Sequence, residues 1–266
     1  MFSSESLQSG LQTVNFGKKV YSFETIDSTN TCARALAGCW ADEGTVVIAE
    51  YQTAGRGRLG RTWVASAGEN LTFSLVLRPV IAPDAMNLLS LLVAVGISRG
   101  IEEHTGVRVF CKWPNDILCS GRKLAGILLE GSLAGDRVDA VVAGIGVNVN
   151  QQTFADELAT RATSLSLETG TVIDRSELFK ALLRSLEEEY RTQAESGFKN
   201  VVTRWLEHAP LIGRRIAVAN NGSVIEGTVR GISNGGGLIV SSQHGEQTFI
   251  AGDVTIVDME PYASYD

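Results

Sequence analysis

The chain is poor in the residues that build metal sites and nucleophilic triads. Its three histidines, His104, His208 and His244, lie far apart with no ligand-like neighbours, which excludes a His-based zinc centre and a His-dependent triad. Its four cysteines, Cys32, Cys39, Cys111 and Cys119, form neither a CxxC nor a CxxH pairing. They read as reduced, mostly packed thiols of a cytosolic protein. The first ten residues carry Ser, Gln and Glu instead of a basic end followed by an apolar run, so no signal peptide is expected. The most apolar stretch, residues 85–101, is interrupted by Asn87, Ser90, Gly96, Ser98 and Arg99, and is expected to fall short of a membrane span. A cationic surplus is missing as well. With 23 Lys and Arg against 30 Asp and Glu, the net charge of -7 argues against a general binder of nucleic acid or anionic membrane. What remains is a soluble intracellular protein of 266 residues, long enough for one large core plus a small appended domain.

What the sequence does have is a glycine-arginine loop. Tyr51-Gln52-Thr53-Ala54-Gly55-Arg56-Gly57-Arg58-Leu59-Gly60-Arg61-Thr62-Trp63 follows an apolar run, 45–49, that reads as a strand. Glycine permits positive φ and close backbone approach, so N–H groups and guanidinium forks can converge on one anion. Phosphate is the obvious guest; a solvated basic loop and a nucleic-acid contact are the competing readings. The glycines lack P-loop spacing, and no Gly-Lys-Ser/Thr follows. Pinning residues 55–61 costs about 1 kcal/mol or more each in backbone entropy, so the empty loop is expected to be mobile and a polyanion to order it.

Taken in order, residues 1–18 are weakly patterned and read as an arm or a frayed start. A strand over 19–24 leads to Ser28, Thr29 and Asn30 ahead of a helical pattern. These three are either helix caps, worth about 1 kcal/mol, or recognition groups for a small polar ligand. Residues 71–77 read as a buried strand, Asp84 as the cap of a helix to about 105, and 107–112, 122–131 and 138–149 as further strands. Asp174 and Glu177 have capping-box spacing ahead of a helix to about 193, and 199–207 makes a shorter one. From 211 onward, Asn220-Asn221-Gly222, Asn234-Gly235-Gly236-Gly237 and His244-Gly245 are hairpin signals that predict a small barrel-like β domain. The expected division is an arm over 1–18, a large domain over 19–209 and a small one over 210–266.

Three further clusters need a chemical reason. Lys112-Trp113-Pro114-Asn115-Asp116 sets a cation, an aromatic, an amide and a carboxylate at a strand end. Asp116 there suits Mg²⁺ and Asn115 a purine edge, while an Asx-type turn is the plain alternative. Arg122 and Lys123 precede an apolar strand whose alternation sends them to opposite faces, so that one reaches a cleft or simply snorkels. Gly144-Ile145-Gly146-Val147-Asn148 puts glycines inside a strand, which often marks close approach of a ligand or another backbone.

Together with Asp27-Ser28-Thr29-Asn30 and Arg122-Lys123-Leu124-Ala125-Gly126, these segments resemble, in order and in spacing, the biotin-protein ligase family. The resemblance implies an α+β fold: a mixed β-sheet with helices packed on it, like class II aminoacyl-tRNA synthetases, followed by a small SH3-like β-barrel domain. It implies biotin and MgATP as substrates, biotinyl-5′-AMP as intermediate, and transfer to a lysine of a biotin carboxyl carrier protein or domain. By similarity Ser28, Thr29, Asn30, Gln52, Gly55, Arg56, Gly57, Arg58 and Lys123 bind biotin. Arg58, Arg61, Trp63, Lys112, Asn115 and Asn148 bind ATP or the adenylate, Asp116 binds Mg²⁺, and Lys123, Arg58 and Arg61 are catalytic. The same resemblance points to a cytoplasmic enzyme with a sheet-edge homodimer.

Bifunctional members of that family carry a DNA-binding domain before the catalytic core. Fewer than thirty residues precede Ser28, so a repressor role, DNA binding and a membrane partner are not expected. A lipoate- or octanoyl-protein ligase is the nearest alternative, and a non-catalytic ligand-sensing regulator the alternative from another class.

Overall fold

Alternation of large apolar residues with small or polar ones, strand after strand, builds the sheet that organises this chain. The computed structural model describes residues 2–220 and 222–257; Met1, Asn221 of the expected hairpin turn and residues 258–266 of the expected small domain lie outside them. The elements run α1 (Ser4–Gln8), β1 (Val20–Ile26), α2 (Thr29–Gly38), β2 (Val46–Gln52), β3 (Leu71–Leu77), α3 (Met86–Thr105), β4 (Phe110–Lys112), β5 (Asp116–Cys119), β6 (Arg122–Ala134) and β7 (Arg137–Val147). Then come α4 (Leu165–Thr169), α5 (Arg175–Glu195), α6 (Val201–Glu207), β8 (Arg215–Asn220), β9 (Ser223–Ile232), β10 (Leu238–Ser242), β11 (Gly245–Phe249) and β12 (Asp253–Ile256).

The first seven strands form one sheet in the order β1-β2-β3-β7-β6-β5-β4. Only β1 and β2 pair in parallel; every other neighbour is antiparallel, so the sheet is mixed. On one face Phe73, Leu75, Ile127, Ala143, Ile145 and Val147 meet α3 and α5 in the main core. On the other face α2 packs through Ala33 and Ala37 on Val47, Val76, Ala140 and Val142. Small residues let α2 lie close to the sheet, and it covers only part of that face.

Two expectations change here. Helix α3 with its preceding turn, residues 83–105, is long and apolar enough to cross a membrane by length and composition, contrary to the reading that its polar interruptions rule this out. It packs against α5, α6 and the sheet instead, with 67% of its apolar window buried. The arm over 1–18 is packed, not frayed: Leu7 and Phe16 are fully enclosed, and the buried Glu187 carboxylate of α5 accepts the backbone N–H groups of Val14, Asn15 and Phe16. Three N–H donors satisfy a charge that would otherwise be expensive to bury.

The second sheet is antiparallel throughout, in the order β11-β10-β9-β8-β12. It docks on the larger body where Trp113 Nε1 donates to the Gly236 carbonyl at 3.0 Å and Asn87 Nδ2 to that of Ile250 at 3.2 Å. Those contacts bring Asp253 to the glycine-arginine loop.

Candidate active site

Beside α2 the face of the sheet is left open, and the floor there is glycine. Gly144 and Gly146 of β7 pair with Ser74 and Thr72 of β3 on one side and with Leu128 and Gly126 of β6 on the other. A Cβ on Gly144 would fall 2.1 Å from Asn30 Oδ1, and one on Gly146 would fall 2.3 Å from the Trp63 ring. Glycine is therefore required at both positions by what lies on them. The result is a cavity of about 820 Å³, the size of a pocket for a small organic ligand.

Its inner wall is the start of α2. Ser28 occupies the N-cap position but its side chain makes no capping bond; it lines the cavity instead. Thr29 donates its backbone N–H to Gln52 Oε1 at 2.7 Å, and its hydroxyl lies 3.0 Å from the same oxygen. Behind them the fully buried Ser74 hydroxyl sits 2.6 Å from Asn30 Oδ1 and 2.8 Å from Thr29 Oγ1. Asn30 Nδ2 points to Glu130 Oε2 at 2.8 Å.

The glycine-arginine loop forms the lid side, and it is folded rather than open. Gly57 donates to the Arg61 carbonyl, Arg61 to that of Arg58, and Trp63 to that of Gly55, with a single 3₁₀ turn over Arg58–Gly60. Residues 55–60 also spell Gly-x-Gly-x-x-Gly, but they open no α-helix, so the dinucleotide-binding context is absent. The three arginines have separate fates. Arg56 grips Glu130 with both terminal nitrogens, at 3.1 and 2.8 Å. Arg61 forms a two-pronged pair with Asp253 of β12, one contact at 3.2 Å. Among the described residues, Arg58 between them reaches only the Asn115 amide oxygen, at 3.3 Å. Burial pushes the Arg58 pKa down, against the pull of Asp253 and Asp116. A half-buried guanidinium without a carboxylate partner of its own suits an incoming anion.

The far end of the cavity is cationic. Lys123 Nζ lies 2.6 Å from Asp116 and 5.7 Å from the centre of the Trp63 ring. Burial, then the nearby charges of Lys123 and Arg61, push the Lys112 ammonium down, while Asp116 and Asp253 oppose the shift. Arg122 points to the opposite face and pairs with Glu168 at 2.8 Å. Lys123 is strapped in place by residues 161–163, its N–H donating to Arg161 and its carbonyl accepting from Thr163. Asn148 steadies that strap through its amide on the Thr163 carbonyl. Asn115 spends its amide N–H on the Ile127 carbonyl at 2.6 Å, so part of it is structural.

No group of three His, Cys, Asp or Glu among the described residues could hold a metal ion. Asp116 is a lone carboxylate among ammonium groups, which does not make a protein-built cage. It fits a Mg²⁺ that arrives with phosphates and takes one carboxylate from the protein. No cysteine among the described residues lines the cavity, and burial pushes the Cys111 thiol up to about 12 and the Cys119 thiol up to about 11.

All the site residues that the resemblance implied line this one cavity except Gly55. Gly55 sits at the base of the loop, where a Cβ would fall 2.4 Å from the Trp63 carbonyl, so its role is to let the loop close. Sequence reasoning missed Ser74, Glu130, Arg214 and Asp253. Ser74 and Glu130 carried a signal: each is a polar residue at the alternate position of an apolar strand.

The chain is similar to known proteins in both its large and its small domain. Residues 22–148 match the Biotin/lipoate A/B protein ligase family and residues 211–257 the Biotin protein ligase C terminal domain. The bifunctional ligase/repressor BirA of Bacillus spizizenii is 38% identical over 256 residues, spanning 96% of this chain and 79% of the relative. The biotin-[acetyl-CoA-carboxylase] ligase of Paracoccus denitrificans is 37% identical over 234 residues, 86% of this chain and 96% of that one. The biotin protein ligase from Aquifex aeolicus in complex with biotin and ATP superposes with a TM-score of 0.75 at 29% identity, covering 90% of this chain and 98% of its own.

Proposed function

Since this chain belongs to the biotin/lipoate A/B protein ligase family, in its biotin-protein ligase branch, we propose that biotin and ATP meet in the glycine-floored cavity. The protein is an ATP-dependent biotin-[acetyl-CoA-carboxylase] ligase. The biotin carboxylate attacks the α-phosphorus of ATP, giving biotinyl-5′-AMP and pyrophosphate. A lysine amine of a carboxyl carrier protein then attacks the mixed anhydride and releases AMP.

The observation that carries the site assignment is that one cavity joins a polar, glycine-floored pocket to a cationic cluster, with Lys123 touching both. Ser28, Thr29, Asn30 and Gln52 hold the ureido ring at the α2 end. Lys123 exchanges Asp116 for the biotin carboxylate and an α-phosphate oxygen, and stabilises the charge that grows on phosphorus. Arg58 closes over the same anions, Lys112 and Arg61 add positive potential, and Trp63 with Asn148 shapes the adenylate pocket. Asn115 offers its remaining amide oxygen to adenine. Mg²⁺, when it comes with ATP, neutralises phosphate charge, and Asp116 is the residue to hold it. Catalysis here is positioning plus electrostatics, with no covalent enzyme intermediate.

The partner is a biotin carboxyl carrier protein or domain. The acidic net charge supports neither DNA nor an anionic membrane as a further partner. As the terminal strand of the sheet, β1 suits a homodimer, and four free thiols fit the cytoplasm.

The test is biotin-dependent exchange of labelled pyrophosphate into ATP without carrier, in wild type and Lys123→Ala. Exchange should require biotin and fall about 100-fold or more in the variant. Exchange with lipoate or octanoate but not with biotin would transfer the protein to the sister activity.

A further inference from the structure

Glu130 lies behind the cavity wall and no reading of the sequence drew on it. It stands on the same face of β6 as Gly126 and Leu128, and its half-buried carboxylate takes four N–H groups from three residues. Asn30 Nδ2 reaches Oε2 at 2.8 Å, Arg56 spans both oxygens, and Arg34 Nη1 reaches Oε1 at 3.2 Å. We propose that Glu130 is a positioning residue that sets the hydrogen-bond polarity of the ureido pocket, and through it the preference for a ligand that donates N–H. The inference rests on the biotin reading above.

The polarity of the pocket follows from a count of protons. A carboxylate and the Leu128 carbonyl only accept, so the Asn30 atom facing them is Nδ2 and its Oδ1 must face Ser74. Three oxygen contacts follow, Ser74 to Asn30, Ser74 to Thr29 and Thr29 to Gln52, and two hydroxyl protons serve them. The Ser74 proton is claimed by Asn30 Oδ1. The Thr29 proton is then claimed inward, by Ser74 Oγ at 2.8 Å or by Gln52 Oε1 at 3.0 Å. Thr29 lines the cavity, and its Oγ1 is left with lone pairs and no proton for a ligand. Gln52 Oε1 already holds the Thr29 N–H, so the Gln52 amide is oriented as well and keeps its Nε2 donors.

The pocket wall therefore presents an acceptor at Thr29 and donors at Gln52. That pattern fits a cyclic urea, which offers N–H groups flanking a carbonyl, and gives nothing to the dithiolane of lipoate or the tail of octanoate. Without the charge on Glu130 only the Leu128 carbonyl, at 3.3 Å, still holds Asn30 in that orientation. Glutamine at 130 can donate to Asn30 Oδ1, Asn30 Nδ2 then donates to Ser74, and Ser74 to Thr29. The reversed chain consumes a Thr29 lone pair that the ligand N–H would otherwise use, while the Thr29 proton stays with Gln52 Oε1.

The experiment is steady-state pyrophosphate exchange with biotin and ATP varied separately, on wild type, Glu130→Gln, Ser74→Ala, the double variant and Arg34→Ala. Glu130→Gln should raise the KM for biotin about tenfold, the range of a lost charge-assisted hydrogen bond, with the KM for ATP within about twofold. Ser74→Ala should act in the same direction, and the double variant should be no worse than the weaker single one, because both act through one chain. Arg34→Ala removes an outer ion pair of Glu130 and should leave both KM values in place. If Glu130→Gln raises the two KM values together, or if its effect multiplies with that of Ser74→Ala, the polarity role is overturned. The Ser74→Ala arm still decides the matter should Glu130→Gln not fold: an unchanged biotin KM there overturns it too. Wild type without biotin-dependent exchange sinks the ligase reading, and the inference falls with it; exchange in wild type with an unmoved biotin KM in both variants sinks the inference alone.

Discussion

The two faces of the seven-stranded sheet are written by the same strands one residue apart, and they have opposite characters. On β7, Ala143, Ile145 and Val147 fill the core under α3 and α5, while Gly144 and Gly146 leave the other face bare. On β3, Phe73 and Leu75 face the core and Ser74 backs the site. On β6, Ile127 enters the core while Gly126 and Glu130 serve the cavity side. One face is packed to exclude everything; the other, beyond the part that α2 covers, is kept open and is lined with groups whose hydrogen bonds are already assigned. Stability and activity should therefore separate by parity along each strand.

The largest effect should come from the packed face. Phe73 is fully buried and meets Phe179 edge to face at 5.3 Å, so Phe73→Ala should lower the free energy of unfolding by about 3–5 kcal/mol. The KM values of the molecules that remain folded should be unchanged. A loss under about 1 kcal/mol in urea titration would mean that this face is less tightly packed than its contacts imply.

Next comes a step to the other parity. Gly146→Ala adds one methyl group where Trp63 lies, and displacing that ring should reduce adenylation about 100-fold. Its effect on stability should be the smaller of the two, about 1–3 kcal/mol. Equal activity in the variant would show that Trp63 is not part of the adenylate pocket.

The smallest effect tests the Arg122 side of β6, away from the cavity. Burial pushes the Glu168 carboxyl up, but hydrogen bonds from Thr163, Ser120 and Cys119 and the charge of Arg122 outweigh it and hold the pKa below the usual range. A carboxylate with a lowered folded pKa contributes stability above its unfolded value, about 4.3, and loses it as pH falls through the folded one. Glu168→Gln should therefore cost about 1 kcal/mol at neutral pH, and the difference from wild type should vanish in acid. A gap that persists at pH ~3 would assign the effect to shape, not charge.

The parity of the strands was legible because period-two alternation is a local signal, and β3 was read to the residue. The floor glycines, Lys123 and the start of α2 were legible for the same reason: each stands out against its immediate neighbours. What stayed hidden depends on partners far along the chain. Nothing near Glu130 announces that Asn30 and Arg56 will meet it, and nothing near Arg61 announces Asp253, 192 positions later. The arm was misjudged because its few apolar residues, Phe2, Leu7 and Phe16, are spaced for separate pockets and follow no helical or strand period. The loop's two carboxylate anchors, Glu130 and Asp253, were hidden because both lie far along the chain from it.

The anchor at Asp253 also sets an order of events. Every group on the cavity floor and in the loop is encoded before residue 150, whereas Asp253, Thr255 and Ile256 of the wall belong to the final described strand. A ribosome making this protein releases the lid loop, then the glycine floor, and only near the end the carboxylate that clasps Arg61. The nascent chain thus carries a half-built reaction chamber through the later part of its synthesis. Its last wall is also its last instalment, so a truncated product would keep the substrate-binding floor and lack the clasp over the reactive anhydride.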